Sequence, residues 1–172
     1  MPPELEQQRD TLTRAGLALV LVQTAERMLR HTLLLVIQDG DALDLKRFQE
    51  GSVSLDRKTL GQLMATLRAR ADLDDGFDDA LREFLRDRNA LAHDLERVEG
   101  FDLRSAKGRA VANAFLANLI ENTETIIKIL ASLNLDWQKQ TDIRTPVDDQ
   151  IRRYIGEEYV GIADSIFFAK SK

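Results

Sequence analysis

The sequence predicts an all-α protein, an antiparallel four-helix bundle with an additional C-terminal helix. Three observations carry that reading. Apolar residues recur at three- and four-residue intervals over long stretches, no pair of alternating runs reads as strands, and Gly, Asp and Ser gather between the periodic stretches. A chain of 172 residues is the size of one ordinary domain, with a core large enough to need no disulfide. Residues 1–172 are therefore read as a single domain, with a core over 12–133 and a helical extension over 145–170.

Taken in order, a first long helix is expected over 12–38, apolar on more than one face as befits a central position. His31 lies on it at helical spacing from Met28 and Leu35, the pattern of a satisfied structural histidine. Residues 39–56 have turn formers at both ends and no sustained period, so they read as a surface loop. A second helix is expected to start at a capping Ser54 or Asp56 and to bury Leu60, Leu63, Met64 and Leu67. Five aspartates, Asp72, Asp74, Asp75, Asp78 and Asp79, crowd the entry to a third helix. Their order lacks the alternating ligands and distal glutamate of a calcium loop, and carboxylates at a helix N-terminus are favoured by the helix dipole, so capping explains them without a metal.

A fourth helix over 105–133 carries Val111, Phe115, Leu119, Ile126, Leu130 and Leu133 on one face. A linker around Trp137 should end at Thr145 and Pro146, a capping residue followed by a proline at the first helical position. The last helix then carries Val147, Ile151, Tyr154, Ile155, Ile162 and Ile166, and its apolar tail with Phe167 and Phe168 must fold back on the bundle or meet another chain.

Composition narrows the function classes. The absence of cysteine removes thiol nucleophiles, thiolate metal sites and disulfides, and fits a reducing compartment. A net charge of −5 and a pI near 5.1 argue against a surface that is one continuous nucleic-acid-binding field, leaving room for a local basic patch. The apolar stretch over 15–37 is interrupted by Glu26, Arg27, Arg30 and His31, and the acidic start is wrong for a secretory signal. A soluble cytoplasmic protein without a membrane segment is the expectation.

One stretch, FDDALREFLRDRNALAHD over 77–94, holds a charge where charge does not belong. At 100° per residue, Phe77, Leu81, Phe84, Leu85, Leu91 and Ala92 form an apolar stripe, and Arg88 falls about 20° from Phe77, near its middle. An unpaired buried ion costs several kcal/mol, so this guanidinium must meet an anion or face a cleft or partner. Asn89 follows it and His93 stands five residues on. Arg97, Arg104, Lys107 and Arg109 follow as basic candidates beside His93.

The string Arg88-Asn89-Ala90-Leu91-Ala92-His93 resembles the R-N-x-x-x-H signature of the HEPN superfamily, placed late in the third of four long helices. The resemblance implies a compact, usually dimeric helical bundle. Many members are metal-independent endoribonucleases acting as toxins or defence effectors, and others are inactive RNA-binding or scaffold modules. It implies no cofactor and no metal, with RNA, a second copy of the chain, and an antitoxin or other regulatory protein as partners. In toxins paired with a nucleotidyltransferase antitoxin, a tyrosine commonly stands two places after the histidine. Here that place is Leu95, so silencing by modification of that tyrosine is excluded.

The same residues support the chemistry directly. RNA carries its own nucleophile in the 2′-hydroxyl, so cleavage needs a base for that proton and a cation for the pentacovalent phosphorane. Histidine exchanges protons near neutral pH, giving His93 the role of general base or acid. Arginine grips phosphate oxygens with a rigid fork, giving Arg88 the phosphate and transition-state role. Asn89, one helical turn from His93, supports either group. Arg88 and His93 lie about 140° apart around an ideal helix and about 7.5 Å apart along it. They are therefore expected to converge only in a twofold dimer that pairs this helix with its copy. Three alternatives remain open: a non-catalytic module binding RNA, a nucleotide or a protein partner; a structural role in which Arg88 pairs with a carboxylate on a neighbouring helix and His93 marks a solvated helix end; and a purely structural oligomer whose motif is coincidental.

Overall fold

Helix α1 (Pro3–Leu35) opens the chain, starting earlier than the apolar pattern suggests because Pro3 presets the helical φ and Glu4 and Glu6 complement the dipole. The structure, a computed structural model, describes residues 2–38, 44–142 and 148–169. The row Ala18, Val22, Ala25, Leu29 and Leu33, spaced by three and four residues, is buried. Residues 45–56, expected to be loop, are instead helix α2 (Leu45–Asp56), capped by Asp44, whose side chain accepts from the Arg47 backbone N–H. It buries only Leu55; Leu45, Phe48 and Leu55 do fall at helical spacing, but Gly51, Ser52 and Ser54 among them read as turn formers. The rest of the expected loop, 39–43, lies outside the described residues.

Helix α3 (Leu60–Arg70) is capped by neither Ser54 nor Asp56, which belong to α2, but by Thr59 in a reciprocal capping box with Gln62. Its buried stripe is the expected Leu60, Leu63, Met64 and Leu67. A three-residue strand β1 (Ala71–Leu73) leads into α4 (Asp75–His93), whose N-cap Asp74 accepts from Gly76 and Phe77 N–H. Of the aspartate cluster, Asp74 thus caps, while Asp78 pairs with Arg68 and Arg82 and Asp79 with Arg82. Helix α4 ends at His93 and a short 3-10 turn, Leu95–Arg97, folds back against it.

Helix α5 (Ala106–Gln140) is capped by Ser105 and continues through Trp137, which the sequence assigned to a linker. Its buried Ala112, Leu116, Leu119, Ile126 and Leu130 pack against α1 along most of its length. Near the N-termini Arg109 Nη2 donates to Gln7 Oε1, and near the C-termini Asn134 Nδ2 donates to Thr32 Oγ1. The two longest helices therefore run side by side in the same direction, not in the antiparallel arrangement the sequence suggested.

The single last helix is replaced by α6 (Asp148–Ile155), a 3-10 turn, α7 (Ala163–Ile166) and strand β2 (Phe167–Ala169). Gly156 and Gly161, both at positive φ, break the run. The expected cap at Thr145, Pro146 and Val147 lies outside the described residues. The tail folds back: β2 pairs antiparallel with β1, placing Leu73 opposite Phe167, and Phe167 meets Phe77 edge to face at 5.4 Å. This strand pair was not visible in the sequence. The core draws on α1, α3, α4 and α5, closed by Leu55 and Ile166, so the all-α expectation holds. Among the described residues, no helix is long and apolar enough to cross a membrane.

Two glycines in helices should respond oppositely to alanine. Among the described residues nothing lies within 4 Å of a Cβ built on Gly16, so Gly16→Ala should stabilise by about 0.5–1 kcal/mol in urea denaturation. A Cβ on Gly108 would sit 2.3 Å from the Asp102 carbonyl oxygen, so Gly108→Ala should destabilise by about 1–3 kcal/mol despite the better helix former.

Candidate functional site

Helix α4 presents Phe77, Leu81 and Phe84 to the core, and Arg88 continues that row as anticipated, half-buried at 24 % exposure. Ala92, expected on the same stripe, is exposed. The guanidinium is not bare: its Nε donates to Glu26 Oε1 of α1 at 2.8 Å, and Glu26 is only 12 % exposed. Arg30, one turn along α1, lies 3.8 Å from the other carboxylate oxygen. Glu26 is the residue that sequence reasoning missed. It is 62 positions from Arg88, and a contact of that separation leaves no trace in local periodicity.

Arg88 Nη1 turns the other way, donating to Asn89 Oδ1 at 3.1 Å and standing 3.3 Å from His93 Nε2. The expectation that Arg88 and His93 would not meet within one chain is therefore corrected. The Cα positions are separated as an ideal helix requires, but the long arginine stem spans the rise. A guanidinium has no acceptor, so Nε2 receives the proton in this contact and a neutral His93 carries its own hydrogen on Nδ1. Among the described residues, Arg88 Nη2, Asn89 Nδ2 and His93 Nδ1 have no hydrogen-bond partner, so three donors are left for a ligand. Asn89 thus contacts the arginine rather than orienting the imidazole.

Beside them is a cleft of about 610 Å³ lined by Arg86, Asp87, Asn89, His93, Asp94 and Arg97. Its cations are already partnered. Arg86 Nε donates to Asp87 Oδ1 at 2.7 Å, and Arg97 pairs with Asp94. The hydrogen bond to Asp87 and that carboxylate's charge, with a smaller contribution from Glu83, hold the Arg86 guanidinium above its ordinary pKa. Asp87 is 9 % exposed, a second buried charge that sequence reasoning missed, lining the same cleft as Asp94 and Arg97 of the turn after α4. Of the other basic candidates only Arg97 reaches the cleft. Arg109 is buried and bonded to the Leu103 and Arg104 carbonyls and Gln7, a structural role. His31 donates from Nδ1 to Asn134 Oδ1 on α5, far along the chain from this cluster.

Compared with known protein families, with curated proteins and with solved structures, the chain matches none.

The Glu26 clasp predicts a measurable coupling. Glu26→Ala should destabilise by about 1–3 kcal/mol, between an exposed pair and a fully buried one broken on one side. In a double-mutant cycle with Arg88→Ala, the two losses should fall short of additivity by at least about 0.5 kcal/mol. Strict additivity would mean the pair contributes nothing.

Proposed function

We propose that the chain is a metal-independent RNA endonuclease of HEPN type, acting as a toxin or defence effector in the cytoplasm. The observation that supports this reading is the meeting of Arg88 and His93 at 3.3 Å, with Asn89 alongside, in an all-α chain. A phosphodiester draws the Arg88 fork toward its oxygens and so frees His93 Nε2. The imidazole takes the 2′-hydroxyl proton, the 2′-oxygen attacks phosphorus, and Arg88 with Asn89 Nδ2 neutralises the charge on the phosphorane. The P–O5′ bond breaks, the 5′-oxygen recovers a proton from an imidazolium, and a 2′,3′-cyclic phosphate remains.

A second copy of the chain completes the site by supplying the second imidazole, so that base and acid are different residues. What favours such a dimer is an apolar row on α1. Leu5, Leu12 and Leu19 are 51, 57 and 40 % exposed at seven-residue spacing, and Glu26, which holds Arg88, is the next position of that row. A toxin of this kind needs a blocking antitoxin or other regulatory protein, since Leu95 stands where a modifiable tyrosine would be.

Purified protein should cut RNA in the presence of chelator and leave 2′,3′-cyclic phosphate ends, and a substrate with 2′-deoxy at the cut should resist. Arg88→Ala and His93→Ala should each lose about 10²-fold or more of the rate. Cleavage unchanged in both proteins would remove these residues from the mechanism.

A second reading has its own support. Glu26 already occupies Arg88 Nε, and Arg86 and Arg97 are spent on Asp87 and Asp94, which suits a non-catalytic module that binds RNA, a nucleotide or a protein partner. On that reading a clean preparation binds RNA without cutting it, and Arg88→Ala weakens binding while leaving no nuclease activity to lose. Specific cleavage by the wild type ends this reading.

A further inference from the structure

A second concavity, of about 540 Å³, opens between α1, α5 and α6. Its walls are apolar, built by Met28 of α1, Ile127 and Leu135 of α5 and Ile151 of α6. Four of the polar groups that interrupt them form two pairs. On α1, Arg27 and His31 are one turn apart, and on α5, Asn134 and Gln138 are one turn apart.

The contact between the two pairs is fixed by a chain of hydrogen bonds. Asn134 Nδ2 donates to Thr32 Oγ1 at 2.8 Å and to the Leu130 carbonyl at 2.7 Å, so its Oδ1 faces outward as an acceptor. His31 Nδ1 must therefore donate to it, at 3.1 Å, and His31 Nε2 is the ring nitrogen left for a ligand. The outer two groups are unsatisfied. Arg27 touches only Thr24 Oγ1, at 3.5 Å, and has no carboxylate within ion-pair distance among the described residues. Among the described residues Gln138 Oε1 is buried with no hydrogen-bond partner, an acceptor that costs free energy until a turn of its amide into the groove meets a donor. Tyr154 adds a hydroxyl on the α6 side, which burial, and then the Glu124 carboxylate, hold above the usual tyrosine pKa as a protonated donor.

Because α1 and α5 run in the same direction and His31 touches Asn134, Arg27 and Gln138 lie on opposite sides of that contact, with Leu21, Thr24 and Ile127 lining the groove beyond Arg27. Each is one turn from the contact, so the two groups are about 12 Å apart along the groove. We propose that this groove binds an elongated amphipathic carboxylate: an apolar chain between the helices, the anionic group on Arg27 beside His31, and a hydroxyl at the far end donating to Gln138 Oε1. A cavity of this volume, mostly apolar with a few convergent polar groups, is the usual form of a small-molecule site. The groove uses none of the Arg88, Asn89 and His93 cluster, so it stands or falls independently of the nuclease reading.

The probes are ω-hydroxydecanoate, decanoate and decanol, titrated calorimetrically into the full chain. Wild type should bind ω-hydroxydecanoate saturably, with decanoate about fivefold weaker for loss of one hydrogen bond and decanol at least about tenfold weaker for loss of the charge. Arg27→Ala, at an exposed position that leaves the fold intact, should lower affinity for both carboxylates about tenfold and leave decanol unchanged. Gln138→Leu should erase the preference for ω-hydroxydecanoate over decanoate. Thr24→Trp, which fills the groove from α1, should abolish binding of all three. Failure of wild type to bind ω-hydroxydecanoate saturably, or binding that survives both Arg27→Ala and Thr24→Trp undiminished, overturns the assignment.

Discussion

The lengthwise seam between α1 and α5 is the constraint on which the rest of the molecule depends. Leu29, Leu33, Leu116 and Leu130 are almost wholly buried, each contributing about 1.5–3 kcal/mol on leaving water. Arg109 with Gln7 at one end, and Asn134 with Thr32 at the other, fix the register between them. Once the seam is set, two further placements follow. One flank of α1 turns Glu26 toward α4, where it meets Arg88. The other flank, with the far end of α5, makes the floor on which α6 lies, sealed by Ala131, Leu135 and Ile155.

The Arg88 cluster is a balance between holding and offering a charge. A half-buried guanidinium needs an anion, and Glu26 supplies one at a single nitrogen. One corner of the fork then braces the imidazole of His93 and one stays open. Full desolvation behind a bidentate carboxylate would lock the arginine, and full exposure would leave it screened and loosely aimed. The intermediate burial seen here holds the group in place while leaving one corner of its fork unpaired among the described residues. The same economy marks the neighbouring cleft, where each of Arg86 and Arg97 is matched by an adjacent carboxylate, in keeping with an acidic chain.

Local patterns made much of the fold legible. The rows Leu60, Leu63, Met64, Leu67 and Phe77, Leu81, Phe84 were readable because helical burial repeats every three to four residues. Helix α2 was not, since Gly51, Ser52 and Ser54 within it are turn formers and masked the spacing of Leu45, Phe48 and Leu55. Trp137 was mistaken for linker because nothing after Leu135 repeats strongly enough to mark where α5 stops. At the site, the misplaced charge of Arg88 pointed to a partner, but periodicity cannot say that the partner is Glu26. Nor can ideal helix angles foresee that a flexible side chain will bridge to His93. The parallel course of α1 and α5 is likewise a property of tertiary contacts, as is the burial of Asp87.

The pairing of β2 with β1 ties the end of the described chain to the short connection between α3 and α4. Phe167 rests on Phe77 and the Asp74 backbone N–H donates to the Ile166 carbonyl, so the residue that caps α4 is itself held by the tail. Proteolytic trimming upstream of Phe167 would strip one ring from beside Phe77 and unpair a strand whose edge is then open to other chains. The resulting slack would enter α4 at its first turn, on the same rigid rod that carries Arg88 and His93 at its other end. The first turn of the helix that carries Arg88 and His93 is thus anchored by a segment some 90 residues further along the chain.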